Sequence, residues 1–355
     1  MDKRRIQIGN VKIGGNHPIA IQSMTNTLTA DIKKTVNQIK RLSNAGCQLV
    51  RVAVKTQDDA LAIAKIKNQI SIPIIADIHF DYRLAIASMN AGVDKIRINP
   101  GNIKNKKHLD QIIQTAKEKK IPIRIGVNSG SLPGYNDSKK YKVTRDSMIK
   151  ALDGHIKYFE KRDFKEIVIS LKASDAKTTI DAYRKAFDQF PYPIHLGLTA
   201  AGLYKDSIVR SSVALGGLIV DGIGNTVRIS ITGDPVEEVY AAKQILSAAG
   251  VRSFGPEIIA CPTCGRCQVD LVKITKEVES RMSKVEGSKQ APLTNRSITI
   301  AVMGCEVNGP GEAKHADIGI AFGNNKGAIF QKGKIVKVVS LDDAVEELIK
   351  LAYSE

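Results

Sequence analysis

The chain has 355 residues, of which 43% are hydrophobic and 25% charged, values typical of a soluble protein with a packed core. The formal net charge of +17 favours anionic ligands or partners, whereas the absence of Trp argues against stacking platforms for single-stranded nucleic acid. Without a membrane-spanning run of about 18 apolar residues or an apolar signal segment near the start, the sequence predicts a cytoplasmic protein.

The predicted elements begin with a short hairpin over residues 6–15, followed by apolar strands that alternate with amphipathic helices. Residues 31–45 show the helical pattern clearly, with an apolar stripe every three or four positions. The alternation predicts a (β/α)8 TIM-type barrel, with a doubly wound open sheet as the alternative. The eight predicted strands cover residues 19–24, 48–54, 73–78, 95–100, 122–127, 166–172, 193–198 and 226–232.

A second, smaller α/β domain is predicted after a linker at residues 250–256. Its predicted elements are a helix near 268–283, strands at 297–303, 316–321 and 333–339, and a final helix at 341–353. The predicted domains are therefore residues 1–249 and 250–355, in agreement with the prior of roughly 150 residues per domain.

Positively charged side chains occur inside four of the predicted strands. Because side chains alternate along a strand, these arginines lie on a polar face that points into the barrel, while isoleucines face the helices outside. Active sites of such barrels lie where the strands end, and phosphate groups suit arginine best. We therefore expect a phosphate or diphosphate site, although each arginine could instead pair with a neighbouring carboxylate. The arginines are Arg51, Arg97, Arg124 and Arg228.

Other polar residues stand at the ends of the same strands. Asp77 and His79 end the third strand and Lys172 ends the sixth. The loops at residues 99–102 and 128–131 can add backbone and hydroxyl donors to an anion.

Three cysteines in the second domain occur at C-x2-C spacing, as Cys261, Cys264 and Cys267, and Cys305 follows 41 residues after Cys264. Such spacing places two thiolates on one metal ion or cluster. A Gly-Pro-Gly turn returns Glu312 towards Cys305. The residues alone leave two possibilities, an iron–sulfur cluster or a zinc site built from the four cysteines.

Together these motifs resemble the family of bacterial 4-hydroxy-3-methylbut-2-enyl diphosphate synthases. The resemblance covers nearly the whole chain and includes both cysteine motifs. Its other segments are residues 21–25, 50–53, 76–80, 96–102, 123–132, 222–228 and 303–313.

The resemblance implies a barrel that binds 2-C-methyl-D-erythritol 2,4-cyclodiphosphate and reduces it, with ring opening and loss of water. It implies one 4Fe–4S cluster on Cys261, Cys264, Cys305 and Glu312, with Cys267 outside the ligand set. It also implies flavodoxin or ferredoxin as electron donor, and a homodimer in which one subunit's cluster domain caps the other's barrel. The expected substrate-binding residues are Arg51, His79, Arg97, Asn99, Arg124, Asn128, Ser131, Lys172, Arg228 and Ser230.

One departure from the family pattern concerns the active site. Where the family usually has Thr-Glu-(Ala/Ser)-Gly, this chain has Ala200 in place of the acid. Asp77 and Glu238 are the candidate replacements, and Glu312 completes the expected catalytic set. The alternative hypothesis is a zinc-containing protein that binds nucleic acid. A third hypothesis, a pterin-binding barrel without redox chemistry, would leave the second domain without a role.

Overall fold

The computed structural model describes residues 3–103, 105–128, 132, 144–173, 175–199, 202–286, 298–306 and 315–353. The chain forms two compact units, Met1–Arg252 and Ser253–Glu355. Within the described ranges, no helix combines the length and the apolar character needed to cross a membrane.

The first unit contains eight parallel strands that follow one another around a barrel, which confirms the predicted TIM-type fold. The hydrogen-bonded order runs β8-β7-β6-β5-β4-β3-β10-β9, and a parallel bridge between Ile169 and Ile194 joins the two ends. The strands are β3 (Ala20–Met24), β4 (Leu49–Ala53), β5 (Ile74–Asp77), β6 (Lys95–Ile98), β7 (Ile123–Asn128), β8 (Ile167–Lys172), β9 (His195–Leu196) and β10 (Thr226–Val227).

Helices follow the strands and cover the outside of the barrel. In α1, the Asp31 side chain accepts a hydrogen bond from the Lys34 amide, and Val36, Ile39 and Leu42 are buried, as the apolar stripe predicts. The helices are α1 (Ile32–Asn44), α2 (Gln57–Lys67), α3 (Tyr82–Asn90), α4 (Lys106–Lys119), α5 (Arg145–Glu160), α6 (Ala176–Gln189), α7 (Tyr204–Ser211), α8 (Gly217–Val220) and α9 (Pro235–Ala248).

The predicted N-terminal hairpin is present as β1 (Ile6–Ile8) and β2 (Val11–Ile13), which pair antiparallel. Ile6, Ile8 and Ile13 are buried in one apolar cluster with residues from the barrel strands. Those strand residues are the inward-facing Ala20, Leu49, Ile75 and Val168. The hairpin therefore closes the floor of the barrel, and polar inward positions begin above this apolar layer.

The second unit is a five-stranded sheet in the order β11-β12-β13-β14-β15, parallel over its first three strands and antiparallel over the last three. Its core is formed by apolar residues of the sheet and of both helices, including Val278, Ile320 and Leu348. The elements are β11 (Glu257–Ala260), α10 (Leu271–Glu286), β12 (Thr299–Met303), β13 (Ile318–Gly323), β14 (Lys326–Gln331), β15 (Lys334–Ser340) and α11 (Ala344–Tyr353).

The sequence analysis missed two strands of this sheet. It assigned no element to Glu257–Ala260, between the linker and the cysteine turn, and none to Lys326–Gln331. Asn324 and Asn325 both have positive φ, of 48° and 57°, which is typical of a tight hairpin turn between twisted strands. This turn leads directly from β13 into β14.

Candidate functional site

The inner face of the barrel carries the arginines that the strand pattern predicts. Arg51, Arg97, Arg124 and Lys172 are all buried, and Arg124 is only 1% exposed. Two glycines leave space for these cations, because a Cβ on Gly197 would lie 2.8 Å from the Lys172 Nζ. A Cβ on the second, Gly126, would lie 3.1 Å from the Arg97 Nε. The inward orientation of the polar face is therefore confirmed.

Asp77, at the end of β5, lies between two of the arginines. Its Oδ1 accepts a hydrogen bond from the Arg97 Nη1 at 3.1 Å, and its Oδ2 lies 3.7 Å from the Arg51 Nε. Half-exposed His79 approaches the same carboxylate, with Nε2 3.5 Å from Oδ2. Burial alone would raise the pKa of Asp77, but Arg51, the His79 hydrogen bond and Arg97 together hold that pKa well below its usual range. Asp77 is therefore an anion that orders arginines, and at neutral pH it carries no proton that it could donate.

Replacing Asp77 with Asn is expected to lower the free energy of unfolding by about 3–5 kcal/mol, because two buried arginines lose their shared counter-charge. Since the folded-state pKa of Asp77 is lowered, its contribution is fully present above about pH 4 and is lost only as the pH falls further. Denaturant unfolding between pH 3 and pH 8 measures the difference. Asp163→Asn removes an exposed partner of Lys117 and is the matched control, with little change expected. An equal loss in both variants would contradict this account.

Arg228 is paired differently, with Glu238 of α9. The guanidinium binds the carboxylate through two bonds, Nη2 to Oε1 at 2.6 Å and Nε to Oε2 at 3.0 Å. Ser23 donates to the Glu238 Oε2 at 2.7 Å, and the Arg228 Nη1 donates to the Ser230 Oγ at 2.9 Å. For Arg228 the alternative of pairing with an internal carboxylate is therefore correct. For Arg51 and Arg97 it holds only in part, because they share one acid.

Other buried cations of the barrel have no such partner among the residues that the structure describes. In the part of the chain that the structure describes, the Arg124 Nε and Nη1 and the Lys95 Nζ have no hydrogen-bond acceptor. Burial, and then the nearby Arg51 and Arg97, lower the pKa of Arg124 well below its ordinary value, although a guanidinium still keeps its proton. Lys172 also has no acid within ion-pair distance among the described residues. Burial, and then the nearby Arg124 and Arg51, lower its pKa well below the ordinary value.

Positive charge therefore exceeds negative charge inside the barrel. Two buried carboxylates, Asp77 and Glu238, stand beside six cationic side chains of the described strands and their ends. Such an excess is unfavourable in the free protein, and an entering anion would relieve it. The cations are Arg51, Lys95, Arg97, Arg124, Lys172 and Arg228.

The remaining predicted residues lie at the same ends of the strands. Asn99 is buried and caps a short 3₁₀ turn by accepting from the Gly101 amide at 3.1 Å. Asn128 ends β7, and the Ser230 Oγ donates to the Leu198 carbonyl at 3.0 Å. Ser131, Ala200 and Glu312 lie outside the described residues.

Sequence reasoning gave no functional role to two inward-facing groups, Lys95 and His195. Lys95 lies two residues before Arg97 on the same face, so strand alternation could have identified it. His195 is fully buried; its Nδ1 bonds the Thr226 hydroxyl at 2.8 Å, while its Nε2 has no partner within the described ranges.

In the second unit, the cysteines follow the ends of two adjacent parallel strands. Cys261 comes directly after β11 and Cys305 two residues after β12, so parallel pairing brings these positions to one edge of the sheet. The Cys261 sulfur accepts a hydrogen bond from the Gly304 amide at 3.3 Å. Cys305 is buried, whereas Cys264 is exposed, and neither is in a disulfide. Amide donors to cysteine sulfur are a common feature of iron–sulfur sites.

Cys267 has a different environment from the other thiols. A Cβ on Gly304 would lie 2.5 Å from the Cys267 sulfur, so this thiol packs against the glycine, and it also donates to the Val269 carbonyl at 3.3 Å. Among the described residues, no three Cys, His, Asp or Glu side chains surround one point as metal ligands would. Thiols at neighbouring strand ends nevertheless have the donor chemistry that an iron–sulfur group needs. Glu312, the fourth ligand expected from the resemblance, lies outside the described residues.

Comparisons with known proteins give the family. Residues 3–243 match a family model described as the GcpE TIM-barrel domain, and residues 257–354 match the GcpE protein C-terminal domain. The chain belongs to the GcpE family. A relative from Caldanaerobacter subterraneus subsp. tengcongensis is 50% identical over 98% of this chain and 95% of its own length. A relative from Clostridium perfringens is 49% identical over 99% of this chain and 98% of its own length. Both are named 4-hydroxy-3-methylbut-2-en-1-yl diphosphate synthase (flavodoxin).

Solved structures share the fold of the GcpE barrel at much lower identity. A dihydropteroate synthase from Stenotrophomonas maltophilia is 14% identical with a TM-score of 0.54, and covers 71% of this chain and all (100%) of its own. The Yersinia pestis dihydropteroate synthase in a sulfonamide complex is 11% identical with a TM-score of 0.52, and covers 70% of this chain and 100% of its own. These similarities show the fold alone. The relatives confirm the resemblance found in the sequence and give no support to a zinc-containing nucleic-acid-binding protein.

Proposed function

We propose that this chain reduces 2-C-methyl-D-erythritol 2,4-cyclodiphosphate to 4-hydroxy-3-methylbut-2-enyl diphosphate, with ring opening and loss of water. The observation that carries the proposal is the buried excess of inward-facing cations, led by Arg124, in a chain about half identical to named synthases. A cyclic diphosphate supplies the missing negative charge, and its phosphate oxygens accept bonds from planar guanidinium groups.

The substrate would bind at the ends of the barrel strands. Arg51 and Arg97, ordered by Asp77, and Arg228, ordered by Glu238, present guanidinium groups that are already oriented before the ligand arrives. Such pre-organisation reduces the entropy lost on binding. Arg124 and Lys172, which have no acid partner among the described residues, would contribute the largest gain in charge pairing. His79, Asn99, Asn128, Ser131 and Ser230 would complete the set as hydrogen-bond partners.

The second unit would hold a 4Fe–4S cluster on Cys261, Cys264, Cys305 and Glu312. When bound, such a cluster supplies single electrons, and two electrons with two protons balance the loss of one substrate oxygen as water. The Gly304 amide, which donates to the Cys261 sulfur, would stabilise negative charge on that ligand. Cys267 would serve packing rather than ligation.

The electron donor would be flavodoxin, which the names of the relatives specify, or ferredoxin. The net charge of +17 would favour encounter with an acidic partner of either kind. We also propose that the chain acts as a homodimer, which sedimentation analysis of the loaded protein would test.

The function is tested by anaerobic purification followed by iron, sulfide and zinc analysis, and by assay with the cyclic diphosphate and a chemical or flavodoxin reductant. The proposal predicts about four irons and four sulfides per chain, and formation of the linear diphosphate. One zinc without sulfide, or a loaded protein that does not consume the cyclic diphosphate, would refute it.

Restoring the usual family acid, with Ala200→Glu, is expected to raise turnover. The carboxyl group would supply a proton or bind a substrate hydroxyl, a type of contribution typically worth 10²–10⁴-fold where it is fully used. Steady-state assays of the two proteins, normalised to iron content, measure the change. Ala200→Gln is the control, since it adds similar volume without an ionisable group. Unchanged turnover in the Glu variant would mean that this chain does not need the acid.

A further inference from the structure

Lys95 is a buried cation to which the proposed function assigns no role. It begins β6 and points into the barrel, one inward position nearer the floor than Arg97. The side chain is 0% exposed, and its Nζ has no hydrogen-bond partner among the residues that the structure describes. Because native proteins rarely bury a polar group without a partner, such an atom calls for a physical explanation.

The groups that face Lys95 make the burial of a charge there less favourable still. The titratable or charged side chains around it are Arg124 on β7, Arg51 on β4 and His195 on β9, and no acid is found among them in the described ranges. Asp77, on the adjoining β5, is already bound to arginines. Among the described residues, Lys95 therefore has cations as neighbours and no counter-charge of its own.

Of the crowded cations, a lysine can relieve the repulsion by losing its proton, whereas an arginine cannot. Burial, and then Arg124 and Arg51, lower the pKa of Lys95 well below its ordinary value. The burial of Lys95 among cations and the lower basicity of lysine compared with arginine thus both indicate that Lys95 is the group that loses its charge.

We infer that Lys95 is an uncharged amine in the free protein and takes up a proton from solvent when a diphosphate ester binds Arg51 and Arg124. The inference rests on the proposed function, since it needs the diphosphate to occupy the barrel. A nearby anion favours the charged form of an amine, so the ligand itself restores the ammonium. Lys95 is then a positioning residue, which adds positive charge behind the arginines only while the substrate is present.

The test counts protons during binding. The oxidised, cluster-loaded full chain is titrated calorimetrically with 2-C-methyl-D-erythritol 2,4-cyclodiphosphate, without reductant, in two buffers of different ionisation enthalpy near pH 8. Wild-type protein is expected to take up protons, and Lys95→Met about one fewer. Lys172 and His195 also titrate in the same direction, so the difference between the proteins carries the result. Lys33→Met, on the exposed side of α1, is the matched control and should equal wild type.

A second measurement uses wild-type protein alone. Its affinity for the cyclic diphosphate should rise as the pH falls from about 9 to 7, by up to about tenfold per pH unit for each proton taken up. Equal proton uptake by wild type and Lys95→Met, or no uptake by wild type, would overturn the inference while leaving the proposed function intact. Absence of any binding would overturn the proposed function, and the inference with it.

Discussion

Replacing Cys305 with Ser is expected to remove the iron–sulfur cluster and to reduce activity by more than about 100-fold. Even partners outside the ligand shell are worth 10–100-fold in metal affinity or activity, so loss of a ligand should cost more. Cys305 follows β12 and is buried, so a serine hydroxyl of smaller volume fits the same place without disturbing the sheet. Iron and sulfide analysis, with the visible absorption spectrum, measures the loss directly.

Cys267→Ser is the matched control for this experiment. Its sulfur packs against Gly304 in the same region but is not proposed as a ligand, so this variant should keep its iron. A full cluster in Cys305→Ser, or an equal loss of iron from the two variants, would contradict the ligand assignment. Circular dichroism of both proteins shows whether the second unit remains folded.

Replacing Arg124 with Met is expected to weaken binding of the cyclic diphosphate by at least about 30-fold. Breaking a buried, hydrogen-bonded charge pair costs about 2–5 kcal/mol, and each 1.4 kcal/mol corresponds to a tenfold change. In the free protein Arg124 has two nitrogens without a partner among the described residues. Its removal should therefore leave the free energy of unfolding unchanged or raise it. Binding calorimetry and denaturant unfolding measure the two effects separately.

The opposite responses of binding and stability distinguish a ligand-binding arginine from a structural one. Arg83→Met, which removes a guanidinium 74% exposed on α3, is the control and should change neither quantity appreciably. If Arg124→Met unfolds more easily and binds normally, Arg124 is a structural group and its assignment to the substrate is wrong. The iron content should stay constant in both variants.

The barrel could be predicted from the sequence because its strands and helices are indicated by patterns among neighbouring residues. Strand alternation placed Arg51, Arg97 and Arg124 on the inner face without any knowledge of tertiary contacts, and the structure confirms that placement. Lys95 was overlooked although it is the first residue of the predicted strand 95–100 and shares the inward face with Arg97. The strand β14 was also overlooked, and paired asparagines mark the turn before it.

The pairing of the buried charges could not be predicted from the sequence. Glu238 meets Arg228 only because α9 packs beside β3, and Ser23 joins them from a position more than 200 residues away in sequence. Asp77 serves both Arg51 and Arg97 because three adjacent strands share a register. Tertiary contacts in the folded barrel thus decide which cations are paired with a carboxylate and which are not.

The hairpin beneath the barrel has a consequence for how molecules enter and leave. Because Ile6, Ile8 and Ile13 close one end of the barrel with an apolar layer, a ligand would enter from the opposite end, where the strands end. Substrate and product of the proposed reaction are both diphosphates. The buried cations that attract the substrate therefore also attract the product and slow its release. Product release must become slower as the affinity for the diphosphate rises. This relation limits how tightly the buried cations can bind the substrate before turnover falls.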